Sequence, residues 1–274
     1  MKRLILWVAG LCLLAGCAAA PAEEARVFFI DVGKGDAALV MAEDGNYLVD
    51  AGPKDAWERV AAALAHFNVK KLDGVFLTHG DKDHSGGLKE LSRSDIGIAA
   101  WYASDLYDLD GDVDEHPAEE AAQIRGQNAV YLSVGEKIGP FTVLGPLTRD
   151  KDDDNNSLVL MLETSRGRAL LTGDMKFDEE EEILSSGRSL QSDLIKIAHH
   201  GNSDATSDHL IEAAAPRVAV VSTNSEERPE LPDRRVVRLL KEKGIPLYST
   251  WRSGGGVLVT LRGADTAAEY VSIP

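Results

Sequence analysis

The sequence predicts an α/β fold arranged as a sandwich of four layers. Strands of alternating or β-branched residues open each half of the chain, and segments with the apolar spacing of amphipathic helices follow them. In addition, no Pro/Gly/Ser-rich linker and no short repeat divides the 274 residues, of which 44% are hydrophobic. A chain of this length and composition can bury a large core as one domain or as two closely fused halves.

The predicted elements follow the same rhythm of strands and then helices in both halves. In the first half, the turn Glu43–Asn46 joins two strands of a hairpin, and Pro53 starts a helix whose apolar residues are three and four apart. His66 falls off that apolar stripe and is expected to face solvent. The predicted strands are 26–31, 36–41, 47–50, 73–78, 96–102, 137–144, 158–163, 169–172, 194–198, 218–221 and 256–261. The predicted helices are 53–67, 88–91, 118–126, 177–185, 207–214 and 234–243.

The N-terminus has the pattern of an export signal. Lys2 and Arg3 give it a basic start, and the apolar segment that follows is too short to span a bilayer comfortably. We therefore expect residues 1–16 to be a lipoprotein signal peptide outside the fold. The folded domain is expected to span residues 26–274.

The end of that segment predicts a lipid anchor. Leu14-Ala15-Gly16-Cys17 resembles the lipobox of bacterial lipoproteins, in which cleavage before the cysteine leaves a lipidated Cys17 as the new N-terminus. Residues 17–25 would then be the lipid anchor and a short tether to the membrane. The alternative is an ordinary signal peptide cleaved after small residues near Ala20. Both alternatives predict an exported protein. With the lipid on Cys17, we expect it in the cell envelope, anchored to the membrane and facing outside the cytoplasm, in the periplasm or at the outer membrane if the host is Gram-negative.

Composition restricts the chemistry and the partners. Because Cys12 leaves with the signal and Cys17 carries lipid, the domain has no thiol for a disulfide, a metal site or a nucleophile, so any metal must be held by His, Asp, Glu or Asn. The formal net charge of −16 repels polyanions at long range, and no basic nucleic-acid groove is evident. The acidic runs 105–120 and 178–183 are interpreted as solvated loops or first turns of helices. A calcium loop is the alternative for four aspartates of the first run, Asp108, Asp110, Asp112 and Asp114.

Two histidines and two aspartates lie together directly after the predicted strand 73–78. They are His79, Asp81, Asp83 and His84. A tight loop can make such side chains converge, and carboxylate and imidazole groups are ligands for zinc, manganese, iron or magnesium. The alternative is that they are ordinary loop residues before a glycine turn. Other predicted strand ends add matching groups, since Asp174 follows one strand and the pair His199-His200 follows another, which favours a metal site.

Six motifs in a fixed order carry a resemblance to a known family. They are "DVGKGDA", "YLVDAG", "LTHGDKDHSGG", "NNSLVL", "LLTGD" and "KIAHHG". In this order, each near a predicted strand end, they are similar to the metallo-β-lactamase superfamily, and specifically to the hydrolase domain at the end of the competence protein ComEC and to its free-standing relatives. The resemblance runs from about Val27 to the end of the chain. It implies an αββα sandwich with a two-metal site on one edge.

The resemblance also implies two divalent ions, zinc or manganese, held by residues of these motifs. The implied ligands are His79 and Asp81 for the first ion, Asp83, His84 and His200 for the second, and Asp174 as a bridge. The broader superfamily has a histidine where this loop has Asp81. His199 would face the substrate, although the roles of His199 and His200 could be exchanged.

The third histidine that the family pattern expects at the first ion is missing. The one histidine between the cluster and Asp174 is His116, which follows the acidic loop residues and is expected on the surface. In the ComEC-like branch, Asn155 or Asn156 occupies the corresponding stretch. An amide oxygen suits manganese or magnesium better than zinc, so we expect the first site to be weak or selective for a harder ion.

The implied chemistry is hydrolysis by a metal-bridging hydroxide. Asp83 and His199 would be the catalytic residues, with His199 donating a hydrogen bond to the developing anion or a proton to the leaving group. Candidate substrate contacts are Asn156, Ser157, Ser203 and Ser222. For these four residues, capping or strand-end hydrogen bonds are the alternative role.

The expected activity is that of a phosphodiesterase acting on nucleic acid or on a small phosphodiester, and the negative charge makes the small substrate as reasonable as DNA. One alternative is an ester or lactone hydrolase of the same fold. Another is a non-catalytic lipoprotein that serves as a binding module, with metals structural or absent. Metal content and sensitivity to chelator would distinguish the binding module from the enzymes.

Overall fold

The computed structural model of the protein describes residues 24–106 and 116–274. The predicted signal peptide, the proposed lipid attachment at Cys17 and the aspartates of the proposed calcium loop lie outside these residues. Within the two described ranges, none of the helices has the length and apolar content needed to cross a bilayer.

Short strands and helices alternate along the described chain. The strands are β1 (Ala25–Ile30), β2 (Ala38–Ala42), β3 (Gly45–Val49), β4 (Lys71–Leu72), β5 (Gly74–Phe76), β6 (Gly97–Ile98), β7 (Trp101–Ser104), β8 (Ala129–Leu132), β9 (Lys137–Ile138), β10 (Phe141–Gly145), β11 (Val159–Thr164), β12 (Gly167–Leu171), β13 (Leu194–Lys196), β14 (Val218–Val221), β15 (Leu247–Ser249), β16 (Gly255–Leu261) and β17 (Ala267–Ser272). The helices are α1 (Trp57–His66), α2 (Lys82–Ser85), α3 (Leu88–Arg93), α4 (Pro117–Ile124), α5 (Phe177–Ser185), α6 (Asp208–Ala214) and α7 (Arg234–Glu242).

Two large sheets form the centre of the fold. Within the described residues, one sheet has eight strands in the order β17-β16-β1-β2-β3-β5-β7-β8, and the other has seven in the order β15-β14-β13-β12-β11-β10-β9. The first sheet is parallel from β3 to β8, and the second is parallel from β12 to β15. The remaining strands of both sheets pair antiparallel, mostly as hairpins.

The alternating side chains of β1 show how the layers form. Val27 and Phe29 pack in a core shared with the second sheet, whereas Phe28 and Ile30 pack in a core shared with α1, α3 and α4. A third core joins the outer face of the second sheet to α5, α6 and α7, with Ile183 among its buried residues. Because helices cover the outer face of each sheet, the predicted αββα sandwich of four layers is confirmed.

The structure differs from the sequence prediction in several short elements. The predicted strand 137–144 is two antiparallel strands, β9 and β10, because the chain reverses at Gly139, whose φ of +52° is unfavourable for other residues. The sequence does not predict β8, β15 or β17. These strands are short or mostly exposed, so they lack the regular apolar alternation of the core strands. His66 is exposed, as expected.

The parallel strands bring the polar loops to one edge of the sandwich. Carboxyl ends of neighbouring parallel strands lie at the same edge, so the loops after β3 and β5 lie beside each other, as do those after β12, β13 and β14. These loops carry the chemistry-bearing residues Asp50, His79, Asp81, Asp174, His199, His200 and Ser222. Asp83 and His84 follow on α2, which continues the loop after β5.

Replacement of Phe76 tests the core between the two sheets. The Phe76 ring is fully buried, and its centroid lies 4.8 Å from those of Tyr102 and Phe141. We expect Phe76→Ala to lower the free energy of unfolding by about 3–5 kcal/mol, because it removes apolar contacts and leaves a cavity. Equilibrium unfolding in urea measures this loss.

Phe177→Ala is the matched control, since Phe177 is 40% exposed and the Arg235 guanidinium group lies over its ring, 5.4 Å from the centroid. Its expected effect on the free energy of unfolding is about 1 kcal/mol or less. Equal losses in the two variants would contradict the assignment of Phe76 to the core.

Candidate metal centre

The loops at this edge bring histidine and aspartate side chains into two groups. The inner group consists of the buried residues Asp36, His84, Asp174 and His200. The outer group consists of His79, which is buried, Asp154, which is partly buried, and Asp81, which is exposed. In each group, one potential ligand atom from every residue lies within 4.8 Å of the others, so each group could hold a metal ion.

The inner group is closely packed around the Asp174 carboxylate. Its Oδ2 atom lies 3.0 Å from His200 Nε2 and 3.3 Å from His84 Nε2. Asp83 joins the group from α2, since its Oδ2 atom is 3.3 Å from His200 Nε2. The inner and outer groups adjoin, because the ring centroids of His79 and His84 are 4.2 Å apart. The centre therefore offers two neighbouring sets of ligand atoms.

Asp50, at the end of β3, orients two of the histidines. It accepts hydrogen bonds from His84 Nδ1 and from the Thr78 N–H, both at 2.8 Å. The Thr78 hydroxyl also donates to Asp50 at 2.8 Å, so its oxygen is left to accept from His79 Nδ1 at 3.1 Å. Both rings are thereby fixed with their Nε2 atoms towards the centre.

The backbone orients the third histidine. His200 Nδ1 donates to the carbonyl oxygen of Ser222 at 2.9 Å. The Nε2 atoms of His79, His84 and His200 are buried and make no well-directed hydrogen bond with the described residues, although those of His84 and His200 lie close to Asp174 Oδ2. A buried nitrogen without a well-directed partner is costly, and a divalent ion between these nitrogens and the neighbouring carboxylates would satisfy all three. The residues of the centre therefore fit a metal ion.

The turn after β13 separates the two neighbouring histidines. His199 and His200 both have left-handed backbone conformations, with φ of 46° and 52°, which are uncommon for residues other than glycine. The His200 ring is buried, whereas the His199 ring is partly exposed and donates from Nδ1 to Asp204 at 2.9 Å. His199 Nε2 lies 3.9 Å from Asp154 Oδ2. The strained turn thus points His200 into the inner group and leaves His199 at the rim.

Close charges shift the pKa values of the buried groups. Burial alone would raise the pKa of Asp174, but the His200 and His84 rings hold it well below its usual range. Burial would lower the pKa of His200, but the Asp174 and Asp83 carboxylates raise it to about 9. The shifts favour charged carboxylates beside protonated imidazoles, and a bound metal ion would replace those protons.

Lys196 adds a buried positive charge beside the inner group. Its side chain contacts the Asp36 carboxylate, lies 3.3 Å from Asp174 Oδ1 and donates to the Gly173 carbonyl oxygen at 2.8 Å. Asp83 also contacts a lysine, Lys34, but Lys34 is partly exposed whereas Lys196 is buried with Asp36, so we take Asp83 as the more available carboxylate. Sequence analysis assigned no role to Lys196 or Asp36. The available signal was a lysine at the end of an otherwise apolar strand, Leu194–Lys196.

Asp154, which sequence analysis missed, is the third residue of the outer group. Its Oδ1 atom is 3.5 Å from His79 Nε2. Asn155 Oδ1 accepts a hydrogen bond from a backbone N–H of the loop after β12, and the Asn156 amide bonds to the N–H and the carbonyl of Asp150 at 2.8 and 2.9 Å. Both amides shape the turn that carries Asp154. Asp154 is therefore a further candidate for the place of the missing histidine, beside the predicted Asn155 or Asn156.

Three of the four predicted substrate contacts are enclosed by protein. Asn156, Ser157 and Ser222 are buried. Ser157 Oγ accepts from the Asp174 N–H at 3.1 Å, so it positions a candidate ligand. The burial of these three side chains disfavours contact with a substrate and favours the alternative role, hydrogen bonding within the fold. Ser203 is exposed near the rim histidine in sequence and stays a candidate.

His116 is buried, which contradicts its predicted place on the surface. It is 3% exposed and caps α4, where its Nδ1 atom accepts a hydrogen bond from the Ala118 N–H at 3.1 Å. Burial lowers the pKa of His116 to about 4. His116 belongs to neither group of candidate ligands.

An αββα sandwich with buried histidine and aspartate groups at its strand ends defines a metal-dependent hydrolase. The family model described as the metallo-β-lactamase superfamily matches residues 30–225, and the chain belongs to that superfamily. The predicted similarity to competence proteins is also confirmed. The chain is 28% identical over 258 residues to ComE operon protein 3 of Bacillus subtilis, a match that covers 85% of this chain and 32% of the relative. It is 28% identical over 238 residues to competence protein ComA of Neisseria gonorrhoeae, covering 86% of this chain and 32% of the relative.

The chain thus spans about a third of the length of these curated relatives, 32% in each case.

Solved structures agree with the fold. YhfI from Bacillus subtilis matches with a TM-score of 0.59 and 15% identity, and the match covers 87% of this chain and 100% of the YhfI chain. Tm1679, described as a metal-dependent hydrolase of the β-lactamase superfamily, matches with a TM-score of 0.55 and 14% identity, covering 85% of this chain and 98% of the other.

Asp50→Asn tests whether Asp50 prepares the centre for metal. The substitution keeps the size of the side chain but removes the carboxylate that accepts from His84 Nδ1, so we expect metal affinity to fall about 10–100-fold. Competition with a fluorescent chelator measures the affinity. Asp95→Asn is the matched control, since Asp95 is exposed and outside both groups. Equal affinities in the two variants would show that Asp50 does not orient a ligand.

Proposed function

We propose that the chain is an exported, membrane-anchored phosphodiesterase that works with two divalent ions, zinc or manganese. The observation that supports this proposal most directly is the pair of adjoining ligand groups, in which the His79 and His84 ring centroids are 4.2 Å apart. Two ions held a few ångströms apart are the usual means of stabilising both the attacking and the leaving oxygen of a phosphodiester.

The proposed ligands follow the two groups. Asp83, His84, Asp174 and His200 would hold the inner ion, and His79, Asp81 and Asp154 the outer ion. Asp174 is the proposed bridge, since its charge acts on the His79 ring as well as on the inner histidines. When bound, the ions would supply an acidified water and stabilise negative charge on the phosphoryl oxygens.

Asp83 and His199 are the proposed catalytic side chains. The Asp83 carboxylate is half-buried at the mouth of the inner group, where it can orient a water molecule beside the substrate. His199 donates from Nδ1 to Asp204 at 2.9 Å, which fixes the ring with Nε2 towards the outer group. A protonated His199 can therefore donate from Nε2 to the leaving oxygen. Ser203 is the remaining candidate for contact with the substrate.

Two features favour a phosphodiester over an ester or lactone. The proposed ligands include four aspartates, whose hard oxygens suit ions that bind phosphate oxygens. The curated relatives include proteins named for competence and one named recombination protein 2, from Haemophilus influenzae, at 23% identity over 246 residues. The net charge of −16 opposes tight binding of long nucleic acids, so a short or small phosphodiester is the preferred substrate class.

Export and lipid attachment at Cys17 are part of the same proposal and rest on the N-terminal sequence pattern. Radiolabelled fatty acid fed to the expressing cells should enter the wild-type chain and not a Cys17→Ser variant. Absence of label from both would remove the membrane anchor and leave the enzyme proposal in place.

Hydrolysis assays test the activity. With manganese or zinc, we expect the chain to hydrolyse at least one member of a panel of a chromogenic diester, a phosphocholine ester, and single- and double-stranded DNA. Asp83→Asn should reduce turnover at least about 100-fold, because it removes an inner ligand and an orienting carboxylate. Asp95→Asn should retain full turnover. Turnover of ester or lactone substrates alone would replace the phosphodiesterase assignment, and failure to bind metal would favour a binding module.

The leaving group tests the role of His199. We expect His199→Gln to slow hydrolysis of a diester with an alkoxide leaving group by about 100-fold or more, because that oxygen needs a proton as the bond breaks. Hydrolysis of a nitrophenyl diester, whose leaving group is stable as an anion, should be much less affected. Steady-state kcat values for the two substrates give the comparison. Equal losses on both would assign His199 to binding or to structure.

A further inference from the structure

Lys176 lies against a ligand of the outer group. Its Nζ atom is 2.6 Å from Asp154 Oδ2 and also 2.8 Å from Asp152 Oδ2. The other oxygen of Asp154, Oδ1, faces His79 Nε2 at 3.5 Å. The Asp154 carboxylate is therefore shared between a lysine on one side and a candidate metal ligand on the other.

We propose that Lys176 competes with the outer metal ion for Asp154, so that the centre fills in order, the inner ion first and the outer ion second. A cation held by His79 and Asp154 is repelled by an ammonium group that contacts the same carboxylate. The inference rests on the proposed two-ion centre. It assigns to Lys176 a regulating role that the ligands themselves do not have.

The surroundings of Lys176 allow it to release Asp154 when a metal ion binds there. The Lys176 side chain is 19% exposed, and its second partner, Asp152, is 43% exposed and outside both ligand groups. The ammonium group can therefore keep its pair with Asp152 while Asp154 turns fully to the ion. Lys196 beside the inner group has no such freedom, because it is 3% exposed and bonded to the Gly173 carbonyl.

The inner group is less sensitive to a competing lysine. Lys34 contacts Asp83 in a similar way and is also partly exposed. However, the inner ion would keep three further ligands, His84, Asp174 and His200, if Asp83 stayed paired with Lys34. The outer ion has only Asp154 and Asp81 besides His79 among the described candidates, and Asp81 is exposed. Pairing of Asp154 with Lys176 therefore weakens binding of the outer ion more than pairing of Asp83 with Lys34 weakens binding of the inner ion.

Manganese binding to the full chain tests the inference without any substrate. Titration followed by electron paramagnetic resonance counts free and bound Mn²⁺ and gives both dissociation constants. We expect the wild-type chain to bind one ion tightly and a second weakly. Lys176→Met should tighten the second ion about tenfold, the scale for removing one charge a few ångströms from a partly exposed ion, and leave the first unchanged. Lys176→Arg, which keeps the charge, should resemble the wild type.

Two controls make the comparison specific. Lys151→Met removes the same charge from the loop that carries Asp154, but Lys151 is exposed and pairs with neither ligand group, so both constants should stay as in the wild type. Asp152→Asn leaves Lys176 with Asp154 as its carboxylate partner, so the second ion should bind more weakly. Asp154→Asn should abolish the second ion in the Lys176→Met background, which assigns that ion to the outer group. Melting temperatures verify that each variant is folded.

The outcomes separate this inference from the proposed function. A second ion that binds equally or more weakly in Lys176→Met than in the wild type overturns the competition, while the two-ion centre stands. Binding of a single ion by every folded variant overturns both the two-ion centre and the competition.

Discussion

Burial of several carboxylates at one edge of the sandwich is the constraint on which the structure of the centre depends. A buried carboxylate is stable only where hydrogen-bond donors or cations surround it. Asp50 accepts from the Thr78 N–H, the Thr78 hydroxyl and His84 Nδ1. The Asp174 carboxylate faces the His84 and His200 rings and the ammonium group of Lys196. These contacts also fix the histidine rings. The orientation of the candidate ligands therefore depends on the hydrogen bonds and ion pairs that stabilise the buried carboxylates.

The fold supplies this arrangement at the cost of backbone strain. Asp50, His199 and His200 all have positive φ values, 59°, 46° and 52°, and all three lie at the ends of strands beside the centre. Non-glycine residues in this conformation are costly, and they persist where the surrounding structure holds them in place. Here the Asp50 N–H donates to the Phe76 carbonyl oxygen of the neighbouring strand, and the Ser222 carbonyl oxygen accepts from His200 Nδ1, which helps to hold these strained residues. The sheets are thus the rigid support, and the strained turns aim the ligands.

Sequence analysis could predict the ligands that lie close together or directly after apolar strands, because strand ends of parallel sheets converge. The sequence does not show which of the aspartates and asparagines before β11 lies next to His79. The turn Asp153–Asn156 determines this, and hydrogen bonds to backbone that is distant in sequence shape that turn. The surface position that the sequence predicts for His116 is wrong for a similar reason. Its burial depends on how α4 packs on the first sheet, which its acidic sequence surroundings do not indicate.

The inner and outer groups differ in their access to solvent, and this difference determines the side from which a substrate would reach the proposed metal centre. The inner residues Asp36, His84, Asp174 and His200 are buried, whereas Asp81 is exposed and His199 lies at the rim near Asp154. In the proposed enzyme, a substrate would therefore approach across the outer group, with its leaving oxygen towards His199. Lys176 lies on this same side. In the proposed enzyme, the ion that the lysine controls is consequently the one that a substrate meets first, so metal loading and substrate binding would be coupled at Asp154.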